Sequence, residues 1–197
     1  MKKSFLDKRL NNVGARVEVI EVLAISAMLI VFCLALPILL FGKSLPIENQ
    51  LLIGPMVNCA LIFGALNFRG VTKNVGVICA PSVLAVSVGL IGFMGVYAMY
   101  MIPAIWLGNV ALVLSFKFFH VHKKVNFVAT ATIAIVAKVA LIFGGFQLLV
   151  LMGAIPTGPA GAMVLGMGLY QLITATVGSV LAFGVVKALY RKNEKAV

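Results

Sequence analysis

Residues 125–152, VNFVATATIAIVAKVALIFGGFQLLVLM, form an apolar run with a single charged residue, Lys138, near its middle. A run of this length folds as one helix able to cross the ~30 Å apolar core of a bilayer. At ~1.5 Å of rise per residue, the Lys138 Cα falls roughly 20 Å from either end, close to the midplane. A lysine at that depth costs about 2.5 to 3.5 kcal/mol on insertion scales, so it faces a bundle interior or a wet cavity and finds a partner or a ligand. Two roles meet that demand. One is an anion site; the other is a structural contact, by snorkelling or by pairing with Glu18, Glu21 or a backbone carbonyl.

The rest of the chain repeats the pattern. Hydrophobic residues make up 62% of the 197 and charged ones only 11%, with a mean hydropathy of +1.14, too apolar for a soluble domain of this length. Apolar runs at 17–41, 51–67, 75–94, 96–119, 125–152 and 160–190 define an all-α integral membrane protein, a bundle of six transmembrane helices. It divides into a cytoplasmic N-terminal segment (1–16), a membrane domain (17–190) and a cytoplasmic C-terminal tail (191–197). Pro55 is expected at the start of the second span, where a missing N–H costs least, after a loop KSLPIENQ. Pro81 falls inside the third, where neighbours must satisfy the carbonyl it frees.

The net charge of +11 does not point to nucleic acid, because the basic residues form no single face or tail. Fourteen of the sixteen lie before the first span, after the second, and at or beyond the ends of the fourth and sixth. The positive-inside rule then puts both termini in the cytoplasm of a multi-pass plasma-membrane protein. Cys33, Cys59 and Cys79 sit in apolar runs without ligand spacing, and His120 and His122 stand in a basic loop, so neither a metal nor another cofactor is expected. Asp7, Glu18, Glu21, Glu48 and Glu194 leave no carboxylate pair inside the bilayer, which argues against an enzyme. No GxxxxGK[ST] signature occurs, so an ATP-driven role needs other subunits.

Counted inward from the outer ends of the spans, Lys138 is about 14 residues deep, Asn109 and Gln171 about 12, Asn58 about 8 and Gln147 about 5. Asn109, Lys138 and Gln171 therefore share a level, with Asn58 and Gln147 above them. Lys138 and Gln147 are nine apart, about 180° around their helix, and face different neighbours. As substrate-binding residues, Lys138 would hold an anionic group, while Asn58, Asn109, Gln147 and Gln171 would supply donors and acceptors that orient the solute. Equally, the amides are suited to interhelical hydrogen bonds, worth about 0.6 kcal/mol on average. Small residues four apart, Ala175 with Ser179 and Gly178 with Ala182, favour close internal packing of the last span.

The stretches LLIGPMVNCALIFGALNFRGVTKNVGVICAPSVLAVSVGLIG, MIPAIWLGNVALVLSFKFF and GLYQLITATVGSVLAFGV resemble the substrate-binding S components of energy-coupling factor (ECF) transporters. That resemblance implies six helices with cytoplasmic termini and capture of a vitamin, precursor or metal ion near the outer face. It also implies a transmembrane coupling protein and two ATPase subunits as partners. The family's AxxxA motif on the first span is not matched: Met28 stands where the second alanine would follow Ala24. A membrane accessory or assembly protein, with lysine and amides holding helices together, is the competing expectation.

Overall fold

The computed structural model describes residues 46–68, 74–87 and 96–194, with side chains over 50–68, 74–87 and 96–187. The expected first span, Glu18, Glu21 and the AxxxA region lie outside the described residues, as do both termini. Within them every regular element is helical. The helices are α1 (Pro46–Asn67), α2 (Val75–Ser87), α3 (Ala98–Ser115), α4 (Phe127–Leu151), α5 (Thr157–Met167) and α6 (Leu169–Glu194). Four stretches are long and apolar enough to cross a membrane: Gln50–Asn67, Ala98–His122, Phe127–Leu151 and Thr157–Lys187. Of the expected 75–94 span, the described part is α2, with 13 residues.

Three boundaries differ from expectation. First, α1 starts at Pro46, so the polar residues of PIENQ are helical and Pro55 lies well inside the helix. The proline that occupies the first helical position, where a missing N–H is harmless, is Pro46. Second, α3 continues as a π-helical stretch, Phe116–His122. Third, the 160–190 run is not one helix: α5 ends at Met167, and Gly168, at φ −105° and ψ −87°, redirects the chain into α6. Uniformly apolar composition conceals that break.

The ends of α4 follow from local chemistry. Asn126 caps its start, its side-chain oxygen accepting from Ala129 N–H at 2.8 Å. At the other end Gly153 adopts φ 74°; its N–H reaches Val150 C=O at 3.0 Å and that of Ala154 reaches Leu149 C=O at 2.9 Å. This is the Schellman arrangement, whose left-handed residue favours glycine.

The helices pack chiefly as two pairs, α1 with α6 and α3 with α4. Both pairs close through a glycine. A Cβ on Gly178 would lie 2.5 Å from Asn58 Cβ and 2.7 Å from Pro55 O, and one on Gly108 would lie 2.6 Å from Ile142 Cγ1 and 3.1 Å from the Lys138 carbonyl oxygen. Ala175, Ser179 and Ala182 are buried too, so the small-residue face of α6 packs internally. These approaches set the backbones of α1 and α3 against the others at the levels of Asn58 and Asn109.

Candidate functional site

Lys138 projects from the centre of α4 and is 3% exposed. Its Nζ donates to Asn58 Oδ1 at 2.5 Å and to Asn109 Oδ1 at 2.8 Å, so one ammonium joins α4 to α1 and α3. Both asparagines are 2% exposed. Each turns its oxygen inward because its own NH2 is engaged by backbone: Asn58 Nδ2 donates to Gly54 C=O at 2.9 Å and Asn109 Nδ2 to Ile78 C=O at 3.2 Å. A carbonyl can only accept, so these bonds fix the amide orientation, and the oxygens that face Lys138 are held in place before any ligand arrives.

The carbonyl that Pro81 leaves without its helical N–H is that of Val77, one residue before Ile78. Proline brings no N–H to the α2 ladder and disturbs the preceding turn. Side chains from α3 move into that turn: Asn109 reaches Ile78 C=O, while Trp106 Nε1 donates to Ser82 Oγ at 2.8 Å and to Cys79 C=O at 3.3 Å. Ser82 Oγ also donates to Cys79 C=O, at 3.0 Å. Trp106 and Asn109, three residues apart on one helix face, thus brace the proline turn from α3.

Beside the cage lies a cavity of about 100 Å³, whose polar lining includes Gln50, Asn58, Asn109, Lys138, Gln171 and Thr174. Its volume is well below the ~300 to 1,000 Å³ of clefts that enclose drug-sized ligands. Among the described residues Lys138 meets no carboxylate; its side-chain partners are neutral amides. Of the three N–H donors on an ammonium, two are thereby used.

Of the five residues singled out in the sequence, four line this one cavity. Gln147 stands apart, exposed on the opposite side of α4, in keeping with its rotation from Lys138. The sequence count sets Asn58 above the lysine, whereas the two are in direct contact. The difference is the five extra residues of α1 before Leu51, which lower Asn58 relative to the helix start. Gln171 is half-buried and lies just past the Gly168 break, in the first turn of α6.

Gln50 belongs to the site and was hidden in a stretch that reads as a loop. Pro46, well placed to open a helix, is the sequence signal that could have found it. No group of three or more His, Cys, Asp or Glu side chains able to hold a metal comes together among the described residues. Compared with protein-family models, curated proteins and solved structures, the chain has no match in any of the three.

Proposed function

We propose that this chain is the membrane-embedded solute-binding subunit of an ATP-driven uptake transporter, taking a small anionic solute, or the anionic end of a vitamin-like one, at Lys138. The observation that supports it is the setting of that lysine: 3% exposed, caged by two neutral amide oxygens and bordering a polar-lined cavity. A buried cation calls for a counter-charge, and amide oxygens supply only a partial one. A carboxylate or comparable anion entering the cavity supplies the rest, through a charge-assisted hydrogen bond. Gln171 and Gln50 then offer amide groups for orientation.

In this reading the chain makes six spans with both termini in the cytoplasm of the plasma membrane and works as an ECF-type S component. A transmembrane coupling protein and two ATPases provide the energy, since the chain has no phosphate-binding loop of its own. It performs no bond chemistry.

A second reading is favoured by the same bonds seen as ties. Lys138 fastens α1 and α3 to α4, which suits an accessory or assembly protein whose cytoplasmic basic loops dock a partner. The two are separated by thermal unfolding of the purified protein against a panel of carboxylates, phosphate and vitamins. Transport predicts a saturable hit, worth about 2.7 kcal/mol at a hundredfold excess over its Kd, that disappears in Lys138→Met. A panel without a hit, together with a Lys138→Met protein clearly less stable than the parent, transfers the function to the accessory role.

A further inference from the structure

The cavity has a second incompletely satisfied group, away from the lysine. Gln50 stands eight residues before Asn58 on α1, about 12 Å up the helix axis at ~1.5 Å per residue. Its Nε2 donates to Gly166 C=O at 3.1 Å. Gly166 lies in the last turn of α5, where the Gly168 break removes the helical donors that would continue the ladder. Because that carbonyl can only accept, the orientation of the Gln50 amide is fixed and Oε1 is the atom left over. Oε1 is buried and has no hydrogen-bond partner among the described residues. An amide oxygen so placed carries a penalty unless a donor arrives, and Gln50 lines the same cavity as Lys138.

The cavity is therefore bordered by unlike chemistry at its two levels: donors at the lysine, and a glutamine whose buried Oε1 is unpartnered among the described residues. We infer that its solute is a small anion carrying its own N–H or O–H group, with the carboxylate at Lys138 and the donor at Gln50 Oε1, as in a short hydroxy- or amido-carboxylic acid. This rests on the proposed solute-binding role and narrows its substrate class. Size agrees, because about 100 Å³ suits a few heavy atoms rather than a fused heterocycle. A plain fatty acid of equal length would leave Oε1 unpaired, and a site built to hydrogen-bond a ligand rejects the analogue that lacks the group.

The test compares molecules that differ only in that donor and share one net charge. Titration calorimetry on the full chain in lipid nanodiscs would measure pentanoate against 5-hydroxypentanoate and butanoate against 4-hydroxybutanoate. The expected result is about tenfold tighter binding of the hydroxy acid in at least one pair. In Gln50→Leu the preference should vanish, the hydroxy acid and the plain acid of each pair then binding equally. Equal binding of both members by the parent protein overturns the inference and leaves the anion site standing. A preference that survives Gln50→Leu overturns the assignment to Gln50. If neither member of either pair binds, while the panel also yields no anion sensitive to Lys138→Met, the solute-binding role fails and the inference fails with it.

Discussion

Two buried or half-buried lysines in this bundle solve the same problem in different ways. Lys117, in the π-helical stretch after α3, donates to Phe68 C=O at 2.6 Å and Ala65 C=O at 3.2 Å. Those carbonyls belong to the end of α1, which lacks intrahelical donors and carries the partial negative charge of the helix dipole. Any helix ends in such acceptors, so Lys117 is a cap. Lys138 instead meets two side-chain amides that stand in the interiors of α1 and α3, each turned by its own backbone bond. No helix supplies those by default. The contrast distinguishes a cation that completes a fold from one for which a setting has been assembled, and only the latter borders the cavity.

The largest effect should come from Asn109→Leu. It takes one acceptor from Lys138 and the donor from Ile78 C=O together, so we expect a loss of about 2 kcal/mol in unfolding free energy, larger than the interhelical average, and weaker anion binding in the same protein. Stability close to the parent would mean that the cage is not a built feature, and the contrast with Lys117 would collapse. Lys117→Met should cost less, about 1 kcal/mol, and leave the ligand-induced shift in melting temperature unchanged. A lost ligand shift there would erase the division between cap and cage. Smallest of all, Gln147→Leu on the exposed side of α4 should stay within about 0.5 kcal/mol and bind the solute normally; impaired binding would place a second site outside the cavity.

Much of the cage was legible in the sequence, and the failures have definite causes. Helical rise alone set Lys138 and Asn109 at one level, and the two are bonded, because a residue's depth in a long uninterrupted helix is nearly independent of its neighbours; the same count for Gln171 ran across the Gly168 break. Asn58 was misplaced and Gln50 missed for one reason: PIENQ is polar, and polarity hid a helix start that Pro46 signals by stereochemistry. The division between α5 and α6 was invisible to hydropathy, since GAMVLGMG is as apolar as its surroundings; the paired glycines, Gly166 and Gly168, were the available cue. Amide orientation was only partly within reach of the sequence. Asn58 is turned by the Gly54 carbonyl of its own helix, whereas Asn109 is turned by the Ile78 carbonyl of α2, a contact that only tertiary packing supplies.

The bracing of the proline turn has a consequence in optical terms. Trp106 is the chain's one tryptophan, and its indole N–H is bonded across the joint between α3 and α2, to Ser82, whose side belongs to the cavity wall. Indole emission is sensitive to the strength of that bond and to the polarity around the ring. The molecule thus carries a built-in fluorophore at the joint, and a displacement of α2 against α3 on filling of the cavity would register as a change in colour or intensity with no label attached.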